Sequence, residues 1–152
     1  MKLSAQEEYG LRCLLQLARQ ASGESLAIPE ISQAEGITHH NTAKLLRILR
    51  QGGIVASARG QHGGYTLAKP PDEIAVADAL AVLGGRLYDD RFCDHFAGSK
   101  DNCTHSPAAC SVRALWYQVQ QAVDQILAET TLADLLQQGH ALAGQKALIE
   151  IS

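Results

Sequence analysis

The sequence predicts a mainly α chain with one small β-hairpin and a long helix toward its C-terminal end. Three observations carry this. Apolar residues recur at helical spacing over most of the 152 residues, and two short β-prone runs flank a glycine-rich stretch before the middle of the chain. A polar stretch from Cys93 to Arg113, holding three of the four cysteines, then interrupts the helical pattern. At 46% hydrophobic residues, a chain of this length can bury one core and carry a small appendage.

Ser4 followed by Glu7 is a capping-box pattern, and Leu11, Leu14, Leu15 and Ala18 then recur at helical spacing. A first helix is therefore expected from near Ser4 to before Ser22-Gly23. Glu8 stands ahead of Leu11 and Leu15 in a register that aims it at the apolar face. In the first turn, where the helix dipole favours an acid, it can sit at the edge of that stripe. Cys13 falls on the other side of the helix and reads as a small packing residue.

The run AIPEISQAEGITHHNTAKLLRILRQGG reads as a short helix beginning at Pro29, a turn at Gly36 and a second helix capped by Thr38. That is helix-turn-helix grammar. Ala43, Leu46 and Leu49, with Leu45 and Ile48 beside them, supply the buried side, while His40, Asn41, Lys44, Arg47 and Gln51 form the opposite face. Asn bonds adenine edges and Arg guanine edges, and the first residues of a recognition helix reach deepest into the major groove. Thr38, His39, His40, Asn41, Lys44 and Arg47 are accordingly candidate DNA-contacting residues. A polar helix face alone fits a merely solvated helix equally well. Gly52-Gly53 ends the helix, and IVASAR, GQHGG and YTLA then form a hairpin, which makes the unit a winged helix with Arg59, Gln61 and His62 on the wing. A wing so placed can grip phosphates or enter the minor groove.

The net charge of -3 argues weakly against a nucleic-acid partner, but it hides an asymmetry. Residues 37–71 contain no Asp or Glu and carry +5 from Lys44, Arg47, Arg50, Arg59 and Lys69, against -8 for the remainder. Solvated surfaces usually mix signs, so an acid-free basic window points to a phosphate-backbone partner.

After Pro70-Pro71, EIAVADALAVLGG predicts a short helix from about Val76 to Leu83, closed by Gly84-Gly85. Beyond the cysteine stretch, SVRALWYQVQQAVDQILAE predicts a long helix with Val112, Trp116, Val119, Val123 and Ile126 spaced four, three, four, three. Such a seam suits burial against a second copy, although packing on its own domain is the plainer alternative. Thr131 begins a short last helix, TLADLL. The expected division is thus 1–71 for the winged helix-turn-helix unit and 72–90 for a connecting helix. Residues 91–111 form a ligand loop, 112–137 a dimerisation helix with a short final helix, and 138–152 a tail.

Cys93, Cys103 and Cys110 are separated by nine and by six residues, with His95 and His105 between them. The chain has no apolar run able to span a bilayer, and MKLSAQEEYG lacks a signal-peptide layout, so a cytosolic location is expected. In a reducing compartment clustered thiols are more often a metal or redox site than a disulfide framework. No Ser-His-Asp set, phosphate-cradling loop or catalytic carboxylate pair suggests an enzyme.

The order winged helix, short helix, three-cysteine stretch and long helix resembles the bacterial iron-sulfur regulators of the IscR and NsrR type. The likeness is carried by MKLSAQEEYGLR, RGQHGGYTLAKP, EIAVADALAVLGG, NCTHSPAACSVRALW and TLADLL, over nearly the whole chain. It implies a homodimer that binds double-stranded operator DNA, with a 2Fe-2S or 4Fe-4S cluster on Cys93, Cys103, Cys110 and one non-thiol ligand. Members of the IscR type place a histidine three residues after the last cysteine, where this chain has Arg113. Members of the NsrR type supply a carboxylate from early in the first helix of the partner subunit, and Glu8 occupies the matching position. The nine-residue first spacing leaves the cluster type open, and His95 and His105 remain alternative ligands because imidazole can replace thiolate at iron. Glu35 is a remoter one.

The implied function is a cluster-dependent transcriptional repressor that senses redox state, nitric oxide or cluster status. Its expected mechanism is a two-state coupling between the ligand stretch and the spacing of two recognition helices. A carboxylate, as a hard ligand, is the natural exchangeable position. Two rivals stand beside it: the same regulator with structural zinc or a bare thiol switch, and an electron-transfer protein that does not bind DNA.

Overall fold

The computed structural model describes residues 4–60, 63–86 and 109–151, with the side chains of 146–151 left out of the description. Its elements are α1 (Ala5–Ala18), α2 (Ile28–Glu35), α3 (His39–Gln51), β1 (Val55–Ala58), β2 (Gly64–Leu67), α4 (Val76–Leu83), α5 (Ser111–Glu129) and α6 (Leu132–Ile151). The expected mainly helical fold with one hairpin is the one found.

Local chemistry accounts for most boundaries. Ser4 and Glu7 form the reciprocal capping box at α1, with the Glu7 N–H donating to Ser4 Oγ at 3.2 Å and the Ser4 N–H to Glu7 Oε2 at 2.7 Å. Gly36 ends α2 in the left-handed region at φ 65°, a conformation that favours glycine. Ser32 Oγ then donates to the Ile37 carbonyl at 2.5 Å and closes the turn. Thr38 caps α3 by accepting the Asn41 N–H at 3.2 Å.

One core lies beneath these helices. Cys13, Leu14, Leu17, Ile31, Leu45, Leu46, Leu49, Val55, Ala79, Leu83 and Leu132 all contribute to it. On α3 the inward positions are Thr42, Leu45, Leu46 and Leu49, with Ala43 and Ile48 only half-buried. The buried side is thus turned from the one expected. Thr42 can face inward because its hydroxyl donates to the Thr38 carbonyl at 3.0 Å, which satisfies the polar atom locally. Gly10 lets α1 approach α4, since a Cβ there would collide with Leu83.

The wing pairs antiparallel, Val55 opposite Leu67 and Ala58 opposite Gly64. An additional bridge joins Leu26 to Tyr65, and a side chain at Gly64 would strike the Leu26 carbonyl, so the hairpin is fastened to the segment that precedes α2.

The C-terminal part departs from expectation. α6 does not stop after TLADLL but continues to Ile151, so residues assigned to a tail are helical. Its start is held by Thr131 and Asp134, whose carboxylate accepts the Thr131 N–H at 2.8 Å and the Thr131 hydroxyl at 2.7 Å. Thr131 also bridges to Ala75, with Val76 N–H donating to the Thr130 carbonyl at 2.8 Å and Leu132 N–H to the Ile74 carbonyl at 3.0 Å. The end of α5 is therefore clamped to the beginning of α4. Along α5 the apolar seam stands open, with Val112, Leu115, Trp116 and Ile126 exposed and Val119 and Val123 half-buried. Among the described residues no helix is long and apolar enough to cross a membrane.

Candidate nucleic-acid interface and metal-ligating positions

Burying Thr42, Leu45, Leu46 and Leu49 turns the remaining face of α3 outward. Thr38, His39, His40, Asn41, Lys44, Arg47, Arg50 and Gln51 are all exposed. The first turn carries no acid, so nothing in it offsets the positive end of the helix dipole. A helix N-terminus of this kind, with cations one and two turns further on, attracts phosphate while Asn41 and Arg47 can address base edges. Arg59 is exposed directly after β1. Gln61 and His62, the other wing candidates, lie outside the described residues.

The thiol positions divide in the same way. Cys93, Cys103, His95 and His105 lie outside the described residues. Cys110 is half-buried and is the N-cap of α5, its Sγ accepting the Arg113 N–H at 3.5 Å. The last thiol of the stretch is thus part of the helix that bears the open seam. Among the described residues no three His, Cys, Asp or Glu side chains gather into a metal-binding group.

Glu8 sits at the rim of α1 and not over its core face. Its side chain is 46% exposed, and Oε1 receives Arg12 Nε at 2.8 Å and Arg12 Nη2 at 2.7 Å. The hydrogen bond from Arg12, and then the charge of Glu8, push the guanidinium further into its protonated form. Arg12 also lies over the Tyr9 ring, 5.8 Å from its centroid. It is Glu7 that is buried, committed to the Ser4 cap. The four-residue spacing of Glu8 and Arg12 was the signal that could have revealed this pair in advance.

The donor chemistry is selective. Cys110 and Glu8 are both accessible enough to ligate. Cys13 faces the core, contrary to its expected side, is fully buried, and has its thiol pushed up to about 12 by desolvation and then by the charge of Glu35. Such a thiol stays protonated and is a packing group. Glu35 is half-buried and already accepts Gln16 Nε2 at 2.5 Å, an engagement that ties α2 to α1.

Sequence reasoning did not anticipate a groove of about 730 Å³ between α1, α4 and α5, lined by Glu8, Leu11, Leu80, Arg86, Val123 and Asp124 among others. Its walls come from three segments far apart in sequence.

A helix-turn-helix with an outward basic recognition helix, an attached hairpin wing and a long appended helix defines a winged-helix transcription regulator. Residues 3–138 match the family described as Rrf2, iron-dependent transcriptional regulator, and the chain belongs to that family of DNA-binding regulators. It is 35% identical over 136 residues to Protein rrf2 of Nitratidesulfovibrio vulgaris, covering 90% of this chain and 87% of that one. The transcriptional regulator CymR of Bacillus subtilis is 31% identical over 135 residues, 89% of each chain. Among solved structures, CymR, the global cysteine regulator of B. subtilis, superposes with a TM-score of 0.70 over 89% of this chain and 95% of that one. T. potens IscR superposes with a TM-score of 0.72 at 28% identity, over 91% and 88%. These relatives are regulators and not enzymes, which also disposes of the electron-transfer reading.

Proposed function

We propose that the chain is a homodimeric, iron-sulfur cluster-sensing repressor that binds operator DNA through two winged helices. The observation that carries this reading is the position of Cys110, which is both the last thiol of the ligand stretch and the cap of the helix bearing the open apolar seam. Cys93, Cys103, Cys110 and Glu8 would hold the group. Bound there, an iron-sulfur cluster supplies a centre that oxidation or nitric oxide alters.

The chain's own residues do the rest. Val112, Trp116, Val119, Val123 and Ile126 bury against the same face of a second copy and set two α3 helices at a fixed separation. Two half-sites about one helical turn apart, roughly 34–36 Å, would be read together only at the matching spacing. Glu8 is the exchangeable ligand because a carboxylate binds iron less tenaciously than thiolate and because Arg12 stands ready to receive it.

Anaerobic purification followed by native mass spectrometry of wild type and Glu8→Ala tests this. The expected wild type is a coloured dimer with an intact cluster, 2Fe-2S or 4Fe-4S, and Glu8→Ala loses cluster on exposure to air faster. A colourless, zinc-bound dimer would overturn the cluster reading. An unchanged cluster in Glu8→Ala would reassign the fourth ligand to His95 or His105.

A second reading draws on the likeness to CymR. A regulator of the same fold could respond through its cysteines as a thiol switch, or hold structural zinc on three Cys and one His. Diagnostic for it is DNA binding that follows thiol oxidation or zinc content with no iron present.

A further inference from the structure

Gln120 is the buried residue of α5, 3% exposed in a helix whose other positions are half or fully open. A buried amide requires a partner, and its Nε2 donates to Asp124 Oδ1 at 2.6 Å. The other carboxylate oxygen of Asp124 receives Arg86 Nη2 at 2.5 Å, across 38 residues of sequence. Arg86 follows α4 and its Gly84-Gly85 turn. It directly precedes the segment that leads to Cys93, and that segment returns at Cys110, the cap of α5. Both attachments therefore fall on one helix, fourteen residues or roughly 21 Å apart at 1.5 Å per residue.

The two ends of α5 are held differently. Its C-terminal end is clamped by the backbone bonds of Val76 to Thr130 and Leu132 to Ile74. Nearer the middle, a groove opens between α1, α4 and α5 beside the buried Gln120. The bonds of Asp124 to Gln120 and Arg86 lie on that groove and join α5 to the turn after α4.

We infer that Arg86 and Asp124, with Gln120 fixing the carboxylate, are positioning residues that hold α5 at the angle on α4 through which a change at Cys110 reaches the DNA-reading helices. This rests on the sensing function proposed above. Both side chains of the pair are about half exposed, 56% and 45%, and exposed pairs add little to stability. Breaking the pair should consequently alter coupling far more than melting.

The test uses the full-length protein and a duplex selected by the wild type from a random-sequence library. Affinity is measured after reconstitution with iron and sulfide and again after chelation. The wild-type ratio of the two affinities should fall in the usual range of allosteric coupling, about 5- to 150-fold, and in Asp124→Asn and Arg86→Gln it should collapse to within about twofold of unity. Chelated affinity and melting temperature should stay near wild type, and the reversed pair Arg86→Asp with Asp124→Arg should recover the ratio. A metal-free readout accompanies this: deuterium uptake over residues 111–124 rises in Asp124→Asn while α1 to α3 stay unchanged. Variants that retain the wild-type ratio, or uptake that does not change, overturn the inference. A wild-type ratio near one overturns the sensing function itself, a different result from a coupled wild type with indifferent variants.

Discussion

Glu7 Oε2 accepts the Ser4 N–H at 2.7 Å while its neighbour Glu8 turns outward to Arg12, so two consecutive acids in one helical turn have opposite fates. The first closes the helix terminus inside the fold. The second remains available to a partner.

That division predicts unequal sensitivity. Ser4→Ala removes the cap and should cost about 0.5–2 kcal/mol. For a chain of this size that lowers the melting temperature by about 2–4 °C per kcal/mol. Glu8→Ala should leave melting little changed. Thermal denaturation of both metal-free variants checks the contrast, and equal losses would contradict it.

The Cys13 thiol should be inert in the native protein. Its folded value of about 12 lies above the ordinary value of 9.0, because burial penalises the thiolate. A group with a raised folded value contributes stability that is complete below the unfolded value and is lost as pH rises toward the folded one. Stability should therefore decline between about pH 9 and pH 12, and less so in Cys13→Ser, which lacks the titrating thiol. Alkylation at neutral pH, read by mass spectrometry, should modify Cys110 and spare Cys13 until denaturant is added.

Asp134 titrates in the opposite sense. The Thr131 N–H, then the Thr131 hydroxyl, hold its carboxyl below the usual carboxylate range. Its contribution is present above the unfolded value, near 3.9 for Asp, and disappears as pH falls through the lower folded value. Hydrogen exchange at the start of α6 should rise in that acid window, and Asp134→Asn should flatten the dependence.

On DNA, Lys44→Ala should reduce the salt dependence of binding by about one unit of log–log slope, as loss of a phosphate contact does. Asn41→Ala should instead relax preference at one base pair, at a cost of about 1–3 kcal/mol for a bidentate contact. Affinities over a salt series, on matched and singly substituted duplexes, separate the two roles. A variant of Asn41 that weakens all sequences equally would remove it from the base-reading set.

Much of this molecule was decided within a few residues of chain. The Ser4-Glu7 box, the Thr38 cap, the Gly36 turn and the paired runs around the wing act over three to twelve residues, so their chemistry is legible in the sequence alone. So are the acid-free basic window and the spacing of the cysteines. Local pattern could not rank positions that share a helix face. Whether Glu7 or Glu8 is buried follows from where α4 lies against α1, and Thr42 turns inward because its hydroxyl finds the Thr38 carbonyl while leucines on either side meet the core. The length of α6 and the Ala75–Thr131 clamp were likewise invisible, since each depends on segments brought together by folding. Arg86 and Asp124 make the same point most plainly. Neither carries a motif, and only packing α5 against α4 puts a guanidinium and a carboxylate 38 residues apart within bonding distance.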